Sequence, residues 1–302
     1  MTAINSLTDL VQNKHARDLV KLKNFKKIEL NESDFLIWCG ESDEGVRRNL
    51  GRNGSLYGPR VILNQFSQMI APAKNVALKN IYWNTFTSPY SGDEKKMLEL
   101  SNQQFELPKT KKMIHLGCGH DHVYHLLKHH LLKGCKKFFI LNFDAHPDMR
   151  LDNTLHSGTP FRKFFMDYEN DLESFILWQT GLQKYYVDLD HLKIENSKAT
   201  IKVTWMEDFD LNKWQKDFKD FPLERDTLLI LSIDLDVMSS SEFSSVSAPN
   251  PSGLNRRDLV QIIRFLKPLP FHLGLYEFNP LISDDALSDA RYAACLLFEH
   301  IF

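Results

Sequence analysis

Phe138-Phe139-Ile140-Leu141-Asn142-Phe143-Asp144-Ala145-His146-Pro147-Asp148 is an apolar run that ends in three metal-competent side chains at alternate positions. A short apolar run of this kind reads as a strand buried on both faces, with the polar residues starting at the sheet edge. Side chains two apart on extended backbone point the same way, so Asp144, His146 and Asp148 can converge on one point. Leu228-Leu229-Ile230-Leu231-Ser232-Ile233-Asp234-Leu235-Asp236 repeats the design with two carboxylates. Two buried strands that deliver five ligands to one edge imply a metal site and more than one ion.

Further apolar runs predict strands at Phe35 to Cys39, Met113 to Leu116, Phe175 to Trp178 and His272 to Tyr276. Helical spacing links Leu259, Ile262, Ile263 and Leu266, and again Leu287, Ala294, Leu297 and Ile301. Strand alternating with helix predicts an α/β fold with a mainly parallel sheet and helices on both faces. In such folds ligands bind beyond the carboxyl ends of the strands, where Asp144 and Asp234 fall. No composition break divides the 302 residues, so the expectation is a single catalytic domain over 1–302, with residues 1–30 as a helical or partly flexible extension.

A formal charge of −2 lacks the basic footprint of a nucleic-acid binder, and the Lys-rich runs from Lys21 to Lys27 and Lys109 to Lys112 read as solvated faces. No stretch approaches the roughly 20 apolar residues that span a bilayer, and Met1 to Lys27 lacks the apolar core of a secretory signal. Cys39, Cys118, Cys135 and Cys295 show no CxxC spacing. Together these predict a cytoplasmic protein acting on a small molecule, with no membrane or nucleic-acid partner.

Gly117-Cys118-Gly119-His120-Asp121-His122 follows the third apolar run, and His120 is placed there as a sixth ligand. Six of twelve histidines lie between His115 and His130, of which His125, His129 and His130 are expected on an exposed helix face. The candidate ligands are then Asp144, Asp148, Asp234, Asp236, His120 and His146. Four carboxylates at a partly buried edge require cations, and two divalent ions would neutralise them. Mixed oxygen and nitrogen ligation suits Mn²⁺, and two ions about 3.5 to 4 Å apart would acidify a water between them. Isolated Asp residues after strands are ordinarily caps or turn formers, but DxHxD and DxD after two apolar strands exceed that role.

His156, in Leu155-His156-Ser157-Gly158-Thr159-Pro160-Phe161-Arg162, is a candidate proton shuttle, and Glu277, ending another apolar run, could pair with a cationic amidine or guanidine nitrogen. Between Gly45 and Arg60, four glycines and four arginines suggest either a structured loop that meets an anion or a solvated loop whose glycines serve turn geometry.

GCGHD, NFDAHPD, SIDLD and YEFNP, read together, resemble the motifs of the ureohydrolase superfamily of arginases and agmatinases, from about Gly45 to the C-terminus. The resemblance implies a three-layer α/β/α fold and two Mn²⁺ ions per chain. One would be held by His120, Asp144, Asp148 and Asp234, the other by Asp144, His146, Asp234 and Asp236. It also implies His156 as the proton shuttle, Glu277 as the substrate-orienting acid, and trimers or hexamers. GVRRNLGRNGSLYGPR, HSGTPFR, SVSAPNPSGL and Arg150 most resemble the formimidoylglutamase branch, which hydrolyses a formimino C–N bond. Arg47, Arg48, Arg52, Arg150 and Arg162 are the candidates for substrate carboxylates. The alternatives are a guanidino substrate that releases urea, or a non-catalytic relative that keeps the fold.

Overall fold

The computed structural model describes residues 34–70, 81–87 and 112–302; the extension expected over residues 1–30 lies outside them. Among the described residues, eight strands form one sheet: β1 Phe35–Glu41, β2 Ile81–Thr87, β3 Lys112–Leu116, β4 Lys137–Phe143, β5 Ser174–Leu182, β6 Ala199–Trp205, β7 Leu228–Asp234 and β8 Phe271–Tyr276. Their order is β2-β1-β3-β8-β7-β4-β5-β6, and every pairing is parallel.

The two-residue period of β4 shows how the layers arise. Phe139, Leu141 and Phe143 enter one apolar cluster, while Phe138 and Ile140 enter the other. Both faces are therefore covered, as a continuous apolar strand requires. On the first face lie helices α2 (Gly58–Ser67), α5 (Leu211–Lys219), α6 (Arg256–Leu266) and α7 (Ala286–Ile301). On the second lie α3 (His122–Leu132) and α4 (Pro160–Tyr168), through Val123, Leu126, Leu127, Phe161, Phe164 and Phe165. The result is a three-layer α/β/α arrangement, and each fully buried Phe or Leu contributes about 1.5–3 kcal/mol to it. Helix α6 starts with a capping box between Asn255 and Asp258, and its expected stripe of Leu259, Ile262, Ile263 and Leu266 is wholly buried.

Two expectations are corrected here. Leu287 is 51% exposed, because it lies in the first turn of α7, beyond the part of the helix that packs on the sheet. His125, His129 and His130 are buried, not exposed. Helix α3 is covered on more than its sheet-facing side: His129 meets the Trp38 ring edge-on at 6.1 Å and His130 lies 4.3 Å from the His272 ring. Burial holds His125 down to about 3 and His129 to about 4, and pushes His130 well below the ordinary histidine range, so all three are neutral core residues.

Among the described residues, no helix is long and apolar enough to cross a membrane.

Candidate metal centre

The four central strands β3, β8, β7 and β4 carry the site at their carboxyl ends, where the turns after them release His120, Glu277, Asp234 with Asp236, and Asp144. After β3 the chain must turn sharply beside β8. A Cβ at Gly117 would fall 2.6 Å from both the Tyr276 ring and His122 Cβ, so only glycine admits this approach. Beside β4, Gly181 adopts φ +97° at a bulge in β5, which lets the Thr180 carbonyl accept from Asp144 N at 3.0 Å.

Among the described residues, two groups of side chains could each hold a metal ion. His120, Asp144, Asp148 and Asp234 form one, and Asp144, His146 and Asp236 form the other, with ligand atoms within 4.8 Å of one another in each. Asp144 is common to both. Asp234 joins only the first group, and its Oδ1 accepts the Asp236 N–H at 2.9 Å. His120 Nδ1 lies 3.0, 2.8 and 3.3 Å from carboxylate oxygens of Asp144, Asp148 and Asp234, yet this fully buried atom makes a well-formed hydrogen bond to none of them. Ligand lone pairs aimed at a shared centre leave this geometry, so the residues present fit a cation. The oxygen-rich set with two imidazoles and no thiolate suits Mn²⁺.

Electrostatics agree with the geometry. Burial, followed by the charges of Asp148 and Asp236, pushes Asp144 up to about 7. Burial and the charges of Asp236 and Asp144 likewise lift Asp234 well above the carboxylate range. Burial opposes protonation of His146, but Asp236, 3.0 Å from Nδ1, and Asp144 outweigh it and hold the imidazole up to about 10. Four carboxylates packed this closely call for positive charge.

Polar residues within otherwise apolar strands orient these ligands. Ser232 Oγ lies 2.9 Å from His120 Nε2, which turns Nδ1 to the carboxylates, and Asn142 Nδ2 donates to Asp144 Oδ2 at 3.2 Å. Neither role was derived from the sequence. The available signal was a buried polar residue interrupting each apolar run.

The cluster floors a cavity of about 450 Å³, lined on its walls by Asn49, Arg150, Ser157, Tyr186, Asp188, His191 and Ser247, among others. Of the five candidate arginines, Arg150 alone lines it, and its Nη1 donates to Asn49 Oδ1 at 2.7 Å. Arg47 and Arg48 are held by Glu44, and Arg52 by the carbonyls of Val246 and Ser247. Arg162 binds the carbonyls of Met149, His191 and Lys193. These bonds fasten loops around the cavity. Tyr186, 5.1 Å from the His146 ring, and Asp188 lie on the segment after β5, which carried no sequence signal beyond its place at a strand's carboxyl end.

Glu277 lines the cavity, with Oε1 accepting His120 N–H at 3.0 Å; burial raises its carboxyl well above the usual range. His156 is buried, with Nδ1 accepting Gly158 N–H at 3.1 Å and Nε2 2.9 Å from Asp152 Oδ2. That pattern fixes the neutral tautomer with its proton on Nε2.

A parallel α/β sheet carrying an oxygen-rich, two-group metal cluster at its carboxyl edge defines a class of metal-competent α/β proteins. The chain matches the model of the Arginase family over residues 36–302 and belongs to that family. It is 27% identical over 267 residues to a protein of Salmonella paratyphi B named formimidoylglutamase, covering 84% of this chain and 80% of the relative. In fold it is similar to the crystal structure of Trypanosoma cruzi formiminoglutamase with Mn²⁺ (TM-score 0.77, 20% identity, 93% of this chain and 97% of that one). It is also similar to formimidoylglutamase from Bacillus subtilis (TM-score 0.79, 16% identity, 96% and 93%).

Proposed function

We propose that the chain hydrolyses N-formimidoyl-L-glutamate to glutamate and formamide, using two Mn²⁺ ions held by His120, Asp144, Asp148, Asp234, His146 and Asp236. The observation that carries this reading is the pair of ligand groups sharing Asp144 beneath a cavity whose wall presents Arg150. The named relatives support it. Two bound divalent ions supply Lewis acidity that activates water near neutral pH and offsets the carboxylates.

The chain's own residues supply the rest. Arg150, braced by Asn49, offers the remainder of its guanidinium fork to a substrate carboxylate. Glu277, buried and disfavoured as an anion without a partner, accepts the amidine N–H groups and regains its charge when a cationic amidine docks. Water adds to the amidine carbon, the bond from that carbon to the glutamate nitrogen breaks, and the nitrogen leaves with a proton. That proton comes from the attacking water, and His156 relays it by taking it on Nδ1 once Gly158 N–H is released, with Asp152 holding Nε2. Asp188 on the same wall suits a cationic amine, and this favours a guanidino compound that releases urea as the second reading.

Incubating the Mn²⁺-loaded protein with N-formimidoyl-L-glutamate, arginine and agmatine, with formamide and urea measured separately, tests the proposal. Formamide from the first substrate supports it. Urea from a guanidino compound without formamide overturns it.

A further inference from the structure

Leu50 has no folding role that explains it. Helix α1 (Glu44–Arg48) ends with Leu50 N donating to Arg47 O at 3.0 Å and Gly51 N donating to Val46 O at 2.8 Å. That pair of bonds is a Schellman ending, whose left-handed position ordinarily holds glycine. Here it holds leucine, at φ +61°, a conformation that costs an L side chain stability relative to glycine. Packing does not compensate, because Leu50 is 94% exposed. A glycine stands one place later, at Gly51, where a Cβ would fall 2.7 Å from Val46 Cγ1 and 2.9 Å from Ser247 Oγ. The position that needs glycine for space has it, and the position that needs it for conformation carries an apolar side chain instead. Leu50 nonetheless lines the cavity above the candidate metal centre, next to Asn49, the residue that braces Arg150.

We infer that Leu50 is a specificity-determining residue, packing at the cavity mouth against the aliphatic chain between a substrate's amidine and its carboxylate end. The inference rests on the proposed amidine hydrolysis. Docked substrate would cover the leucine, which gains there the burial that folding does not provide. Strain kept at a ligand site and offset by binding is a known arrangement.

Leu50→Ala keeps the strained backbone and removes the apolar side chain beyond Cβ. Leu50→Asn tolerates the left-handed conformation and puts a polar group in place of the apolar one. Leu50→Gly removes both the strain and the side chain. Thermal unfolding, kcat, KM, calorimetric Kd for N-formimidoyl-L-glutamate and for agmatine, and molecular mass in solution are measured on the Mn²⁺-loaded proteins.

In all three variants KM and Kd are expected to rise about fourfold for each methylene-sized group that no longer packs on the substrate, with kcat within about twofold of the parent. The melting temperature should not fall in any of them. Unchanged Kd in Leu50→Ala overturns the inference, as does a variant that changes the solution mass while Kd holds, which would place Leu50 between subunits. If the parent protein turns over neither compound, the activity reading fails by that result. The Leu50 inference is then decided by the two dissociation constants: a rise in Leu50→Ala supports it, and equality with the parent overturns it.

Discussion

Lowering the pH from 7.5 to 5.5 should destabilise the protein steeply, and His125→Leu should remove a defined part of that loss. His125 is buried in α3 with neither ring nitrogen hydrogen-bonded, and burial depresses it to about 3. His129 and His272 are depressed to about 4, and His300 to about 3, with burial the leading cause in each. A depressed histidine stays neutral in the folded chain while the unfolded chain takes up a proton below about 6.5. Its stabilising effect is therefore complete above that value, and is lost as pH falls from there towards the folded value. At pH 5.5 each such group costs on the order of 1 kcal/mol, so the four together remove several kcal/mol, a large part of the stability of many domains. Urea unfolding of metal-free protein, followed by tryptophan fluorescence across this range, measures the loss. The metal-site carboxylates complicate the total, since Asp144, raised to about 7, contributes with the opposite sign. The variant separates the two effects. The stability difference between His125→Leu and the parent should grow by on the order of 1 kcal/mol in favour of the variant between pH 7.5 and 5.5, as one titrating group is removed. A difference that stays constant with pH would refute the assignment of His125 as a neutral core residue.

Asp234→Ala should abolish turnover and the rise in melting temperature that Mn²⁺ gives the parent, while the metal-free variant melts no lower than the metal-free parent, because a repelling carboxylate is gone; calorimetry with and without Mn²⁺ reads all of this. Glu277→Gln keeps the shape and removes the charge, and should lower kcat/KM for formamide release by about 10²-fold or more with Mn²⁺ stoichiometry unchanged; steady-state kinetics and metal analysis check it. Arg150→Met should raise KM for N-formimidoyl-L-glutamate about 10- to 100-fold and leave agmatine, which has no carboxylate, little affected; equal effects on both would remove Arg150 from substrate recognition.

The central strands were legible because each is buried on both faces and reads as an apolar run, broken by a single polar residue in Phe138 to Phe143 (Asn142) and in Leu228 to Ile233 (Ser232). The two outer strands were not. Ala199–Trp205 is an edge strand whose mixed sequence, ATIKVTW, leaves its residues only partly buried, and Ile81–Thr87, at the other edge, likewise lacks a clean apolar run. DxHxD and DxD were readable as a cluster because both follow directly on apolar strands that end at one sheet edge, but the convergence itself is made by the turns beyond those strands, with Asp148 at φ +49° and Asp236 in a 3-10 turn, and not by a two-residue period. The fate of the arginines was not readable, since the same guanidinium serves a substrate carboxylate or a loop carbonyl. Only the tertiary structure shows that Arg162 reaches four backbone carbonyls while Arg150 faces the cavity. The histidines of α3 misled for a related reason: polarity argues for exposure unless the partners that bury the helix are known, and Trp38 and His272 lie far away in the chain.

Backbone strain carries information that side-chain patterns do not. Among the described residues, the non-glycine residues with positive φ are Leu50 at 61°, Asp148 at 49° and Glu277 at 66°, and all three line the same cavity. Each such conformation costs on the order of 1–3 kcal/mol and persists only where surrounding bonds over-determine it. Asp148 is held by its carbonyl, which accepts from Phe161 N at 3.4 Å; Glu277 is held by its N–H, donating to Cys118 O at 3.0 Å, and by its carboxylate on His120 N. These bonds tie the strained residues to α4 and to the turn after β3, so the rigid layers hold the site open against relaxation. Asp148 thereby directs a carboxylate towards His120 Nδ1, and Glu277 directs another beside it into the cavity. Leu50 is held by its backbone alone, through its N–H on Arg47 O, and among the described residues its side chain is left exposed at the cavity, where the inferred substrate contact would cover it.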